Sequence, residues 1–245
     1  MKSQSLLFLT IVLTLHNFSH AGTFTVPEWV RNSCVFVMQN DTTAFGSGFL
    51  IGIRQDSNTF CYLVSAKHVI EPLLRKGNSI LVRVNQRERE SPLTLRLPTF
   101  VFRDKRWIEH SNPAVDVALV PLALWDKMDS MEVNMFVVTD STKDYFADSL
   151  FLRKYKVSSG DGVFTLGLVP EIFNKGEKNL VLSRFGTVSA LPQYNLRLPG
   201  GEQKAYFIDC PAFGGNSGGP AYVLLERDEH SSLIAGWRIA LLGVV

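Results

Sequence analysis

The chain has 245 residues, 46% hydrophobic and 20% charged, enough for a sizeable core in one large domain or two tightly joined halves. Its 25 basic and 23 acidic residues leave a formal net charge of +2, which excludes the strong positive field that nucleic-acid binding draws on. Three cysteines allow at most one internal disulfide, so the fold is not one stapled by bridges.

At the N-terminus Lys2 precedes the apolar stretch LLFLTIVLTL, and Ser19 and Ala21 place small residues at the minus-three and minus-one positions of a cleavage site. Residues 1–21 therefore read as an export signal, too short for a confident membrane span, and the mature chain runs from Gly22 to Val245. A secreted or periplasmic protein without a stable membrane anchor is expected. Its oligomeric state is left open. Asn40 opens the triplet NDT, a glycosylation acceptor in a compartment that glycosylates.

Short apolar runs between turn residues then predict strands at 34–38, 48–53, 60–66, 79–84, 93–100 and 117–122. A second set is predicted at 135–139, 150–152, 162–168, 180–191, 204–209, 221–226 and 233–243. Val, Ile, Phe and Leu dominate these runs, and nothing keeps a 3.6-residue period long enough to build helical layers. The fold is expected to be all-β. The polar stretch 123–148 divides the two sets, and two six-stranded antiparallel barrels fit the count better than one long sandwich. The charged runs RKYK (153–156) and RVNQRERE (83–90) read as solvated surface. Cys34 and Cys61 both fall in strands of the first set and form a candidate pair, and Cys210 reads as a free or buried thiol.

Three histidines lie beyond the signal: His68, His110 and His230. None belongs to an HExxH pair, and HVIE supplies only a histidine and a glutamate, so neither a metal nor another cofactor is expected. His68 directly follows the apolar run FCYLVSA, where an imidazole can take up and return a proton if held near a reacting atom. Asp116, in PAVDVALVPL, is the aspartate set into an apolar strand entry, and a carboxylate there needs hydrogen bonds or an opposite charge. A histidine ring would supply both, and the carboxylate in return would fix the tautomer of the ring.

Ser217 stands in AFGGNSGGP (212–220), whose four glycines imply a backbone path that most side chains would obstruct. A serine hydroxyl needs an adjacent base to become a nucleophile, and a carbonyl under attack needs fixed donors for its oxygen. The amides of Gly215 and Ser217, two residues apart, are the candidate oxyanion donors.

SAKHV around His68, DVALV around Asp116 and GNSGGP around Ser217 together resemble the three signature segments of the chymotrypsin-like (trypsin-like) serine peptidases, in the same chain order. GSGFLIG (46–52) and GTVSAL (186–191) resemble strands of the bacterial HtrA-type branch, and no PDZ domain is expected. The resemblance spans about residue 33 to the end. It implies two perpendicular six-stranded antiparallel β-barrels, barrel one at about 33–122 and barrel two at about 149–245, joined by a connection at about 123–148. It implies His68 as general base then acid, Asp116 as its orienting carboxylate, Ser217 as nucleophile, and a polypeptide substrate cleaved as by a serine endopeptidase.

Three features depart from the digestive members of that family. Asn216 stands where they carry an aspartate that pairs with a newly exposed amine, and Pro211 stands where trypsin carries its pocket aspartate, with Asp209 nearby. Only positions 218–245 follow Ser217, fewer than the family uses, so the second barrel is expected to be incomplete at the C-terminus. GNSGG also satisfies the lipase pattern GxSxG. That fold needs its acid and then its histidine after the serine, and only His230 follows. A secreted, protease-like binding or structural protein without turnover is the alternative reading.

Overall fold

The computed structural model describes residues 24–40, 43–75, 80–97, 107–122, 131–132, 136–139, 145–169, 177–193, 195–198, 200–226 and 237–245. Residues 1–21, expected to be an export signal, together with His230 and most of the 123–148 stretch, lie outside the described residues.

A short helix α1 (Glu28–Arg31) leads into a meander of β1 (Cys34–Asn40), β2 (Thr43–Gln55) and β3 (Asn58–Ser65). Helix α2 (Lys67–Arg75) follows, then β4 (Leu81–Val84), β5 (Leu93–Arg96), β6 (Ile108–Glu109), β7 (Ala118–Leu122) and β8 (Phe136–Val138). These eight strands make one sheet in the order β5-β4-β1-β2-β3-β7-β6, with β8 running parallel to β2. Helix α3 (Ser149–Lys154) then precedes β9 (Gly162–Leu168), β10 (Val181–Ala190), β11 (Leu196–Leu198), β12 (Gly201–Gln203), β13 (Phe207–Asp209), β14 (Pro220–Glu226) and β15 (Trp237–Val244). The second sheet is ordered β13-β10-β9-β14-β15, and β11 and β12 form a separate hairpin.

The protein is thus all-β in two sheet units, neither closed into a barrel among the described residues. Two-residue alternation sends each strand's side chains to opposite faces, which explains how so many buried strands share one chain. Leu50 joins Val35, Val37, Leu63, Val82 and Val120 in the core of the first unit, while its neighbours Phe49 and Ile51 point the other way. They meet Phe164, Leu166, Tyr222 and Leu224, so a continuous apolar seam joins the two units. On the far side of the second sheet, Ala221, Val223 and Leu225 bury against Phe151 of α3.

Several sequence expectations change. LFL at 150–152 is helical, because Asp148 accepts hydrogen bonds at Oδ1 from the amides of Leu150 (2.9 Å) and Phe151 (2.8 Å) and so nucleates a turn. The segment 135–139, read with the second set, contributes β8 to the first sheet. Cys34 and Cys61 are unpaired thiols. Cys34 lies opposite Phe49 and Cys61 opposite Gly52, and they enter different cores on opposite faces of the sheet. Burial pushes the Cys61 thiol up to about 12 and the Cys34 thiol further still.

The run at 83–90 is not wholly solvated, since Arg83 is buried with Nη2 donating to the carbonyl of Glu177. Burial pulls its guanidinium below the usual range. Beside it, the Asn179 amide nitrogen donates to the Arg83 carbonyl (2.9 Å), and Asn85 exchanges two hydrogen bonds with the Asn179 backbone. This polar strap ties β4 to the segment entering β10. Alternation alone could not reveal it, because a strand that is buried on both faces has no solvent side on which to leave an arginine.

Candidate active site

Ala66 separates β3 from α2, so His68 sits in the first turn of a helix whose Val69, Ile70 and Leu73 are buried in the first core. The first amides of a helix have no partner within it and favour a carboxylate. Asp116 takes that place: its Oδ1 accepts from the His68 backbone N–H at 2.8 Å, and its Oδ2 contacts Nδ1 of the His68 ring. The Lys67 amide also donates to the Asp116 carbonyl, at 3.4 Å. Asp116 immediately precedes the apolar run Val117–Ala118 that enters β7, and β7 pairs with β3, which brings residues 48 apart in sequence into register.

The histidine and aspartate side chains are 57% and 48% exposed, so the pair lies at a surface opening rather than in the core. It therefore orients the ring more than it stabilises the fold. Next to it, Lys67 forms an ion pair of 2.6 Å with Glu109, and that hydrogen bond raises the lysine's affinity for its proton.

The serine loop is held against the same strands. Gly218 adopts φ +91°, and a Cβ there would come within 2.1 Å of the Ser47 carbonyl and 2.2 Å of Ser65 Oγ. Ser65 lies three residues before His68, so the missing side chain lets the loop bearing Ser217 press on the strand that delivers the histidine. Gly215 also takes a left-handed conformation, φ +86°. Within the loop, the amides of Asn216, Gly218 and Gly219 donate to the carbonyls of Phe213, Val245 and Asn216, respectively. Among the described residues, those of Gly215 and Ser217 are absent from this hydrogen-bonding pattern.

One residue that sequence reasoning did not single out ties these parts together. Ser47 is fully buried on β2. Its hydroxyl donates to the Gly215 carbonyl at 2.7 Å and accepts from the Leu168 amide at 3.0 Å. Its own amide donates to the Ser217 carbonyl (2.9 Å), and its carbonyl accepts from Ser65 Oγ (2.7 Å). The only signal in the sequence was a hydroxyl placed between two glycines in GSGFLIG.

His68 and Asp116 are brought together. Among the described residues, no hydrogen bond joins the Ser217 hydroxyl to the His68 ring. Such contacts are often long before substrate arrives and tighten in the complex. His110 is elsewhere and exposed, its Nδ1 accepting from the Asn112 amide. Asp209 and Pro211 are both exposed. Asn216 is buried, its side-chain oxygen bonded by Arg184. A cleft of about 290 Å³ opens beside the pair, its walls including Asp116, Val117, Lys204, Tyr206, Leu242 and Val245.

Among the described residues, no group of three His, Cys, Asp or Glu side chains is placed to hold a metal ion, and no helix is long and apolar enough to cross a membrane. No protein-family model and no curated protein matches the chain. Among solved structures it is similar to the MamO protease domain from Magnetospirillum magneticum, at 15% identity and a TM-score of 0.49, covering 88% of this chain and 84% of that one.

Proposed function

We propose that this protein is a serine endopeptidase of the trypsin-like kind, acting on polypeptides outside the cytoplasm through His68, Asp116 and Ser217. The observation that carries the reading is the two-point grip of Asp116 on His68, one oxygen on the backbone amide and the other on Nδ1. That grip fixes the proton on Nδ1 and leaves Nε2 as the basic nitrogen. Nε2 takes the proton from Ser217 Oγ as that oxygen bonds to the scissile carbonyl carbon. The carbonyl oxygen gains the negative charge and is received by the amides of Gly215 and Ser217, which the loop's own hydrogen bonds leave available.

Collapse of that intermediate breaks the C–N bond, and Nε2–H returns the proton to the departing amine. Water then attacks the acyl-serine and gives a proton to Nε2, which passes it to Ser217 Oγ as the ester bond breaks and the carboxylate product leaves. In this scheme the imidazole carries the protons, the backbone amides receive the oxyanion, and Asp116 holds the ring.

A protease-like binding protein without turnover is the second reading. It is favoured by the absence, among the described residues, of a hydrogen bond from Ser217 to His68. A fluorophosphonate probe separates the two. A peptidase labels at Ser217, loses the label in Ser217→Ala, and yields mapped cleavage sites in a peptide library. Folded protein that neither labels nor cleaves supports the binding role instead.

A further inference from the structure

The loop that carries Ser217 rests on a buried cation which the proposed chemistry does not use. Arg184, on β10 and only 8% exposed, donates from Nη1 to Oδ1 of Asn216 at 3.1 Å. Its guanidinium carbon also lies 4.9 Å from the centroid of the Phe213 ring, a side chain that is itself 61% exposed. One side chain therefore grips the loop at two positions, 213 and 216, on either side of Gly215 and directly before Ser217.

The seat of that grip is rigid. Arg184 is paired with Thr165 in the ladder between β10 and β9. Asn216 is 3% exposed, and a Cβ at Gly167 of β9 would come within 2.7 Å of its Oδ1. The asparagine is thus pressed onto the sheet with its oxygen aimed at the guanidinium. Phe213 gains a reason to sit over the loop in spite of its exposure, since the ring face attracts a cation. A planar guanidinium suits both contacts at once, lying over the ring while an N–H reaches the amide oxygen.

We propose that Arg184 is the positioning residue of the oxyanion loop: it holds residues 213–217 in the shape that directs the Gly215 and Ser217 amides to one point. The catalytic consequence rests on the peptidase reading above. The clamp itself does not.

The test uses the full chain with Arg184→Met, Arg184→Lys and Phe213→Leu. Hydrogen exchange of the segment 211–219 is compared with that of 34–50, together with the rate of fluorophosphonate labelling at Ser217. Arg184→Met is expected to exchange at least tenfold faster in 211–219 with 34–50 unchanged, and to label at least tenfold more slowly. Arg184→Lys, which keeps a donor and the charge, should restore part of both. Wild-type protection of 211–219 in Arg184→Met overturns the proposal, as does an equal loss of protection in both segments.

If Arg184→Met does not fold, Phe213→Leu decides. It removes the cation–ring contact from an exposed position and must still speed exchange in 211–219, and an unchanged pattern refutes the clamp. Wild-type protein that never labels overturns the peptidase reading and leaves the exchange result to judge the clamp alone.

Discussion

Replacing Ser47 by alanine removes a single oxygen from the junction between the two units, and its cost can be worked out from what that oxygen touches. Ser47 Oγ accepts from the amide of Leu168, a fully buried residue, and donates to the carbonyl of Gly215, which is half-buried. Alanine leaves the buried Leu168 amide without its partner, at about 1–3 kcal/mol. The Gly215 carbonyl recovers part of its loss from water, at about 0.5–1.5 kcal/mol. A total of about 1.5–4.5 kcal/mol is expected, which for a chain of this size lowers the melting temperature by roughly 3–18 °C. The backbone bond from Ser47 to Ser217 survives, so the fold should persist.

The loop is affected beyond stability. With the Gly215 carbonyl released, the peptide between Gly215 and Asn216, which lies between the two donor amides, loses its anchor, and misplacing one oxyanion donor costs about 10²–10³-fold in rate. Urea unfolding followed by tryptophan fluorescence gives the first quantity and fluorophosphonate labelling of fully folded protein gives the second. A loss under about 0.5 kcal/mol at unchanged m-value refutes the claim that this hydroxyl satisfies buried backbone groups.

Gly218→Ala should fail to give folded protein, because its Cβ would overlap the Ser47 carbonyl at 2.1 Å from a backbone at φ +91°. Circular dichroism showing a native melt contradicts that. Asp116→Asn should change stability by only about 0–1 kcal/mol, since the pair is half-exposed, yet slow labelling about 10³–10⁴-fold through loss of ring orientation. A fall of less than tenfold counts against the role given to Asp116. In native protein, iodoacetamide should modify Cys210, which is only partly buried, while Cys34 and Cys61 react after unfolding; mass mapping of the adducts checks this. Stability should also fall above about pH 9, as the exposed thiols of unfolded chains ionise and the buried ones, held at about 12 or higher, stay protonated. Each thiol contributes a slope approaching about 1.4 kcal/mol per pH unit, and a flat profile between about pH 9 and 10 argues against their burial.

Much of the strand pattern was visible in the sequence because a strand of this protein is a dense apolar run, and such runs announce themselves wherever turn residues bound them. Most runs in the first set and 162–168, 180–191 and 221–226 in the second correspond to strands. The run 150–152 misled because three apolar residues carry no period, and the decisive signal was Asp148 just ahead of them. Sheet membership was invisible for β8, since parallel pairing depends on where a long connection returns. Arg83 was misjudged because its neighbours Glu88 and Glu90 made the run look self-compensating, while the fold buries its first residue.

The sequence by itself determined the residue chemistry: an imidazole after an apolar strand, a carboxylate at a strand entry, and a serine among glycines that only a close-packed loop would require. Local composition suffices for that, because side-chain type and backbone freedom are properties of single positions. Only the tertiary structure decided which groups share hydrogen bonds. The Asp116 carboxylate on a helix's first turn, the Ser47 hydroxyl joining β2 to two other segments, and the Arg184 grip beneath the loop all arise from strand pairing across long separations, which no short window of sequence encodes.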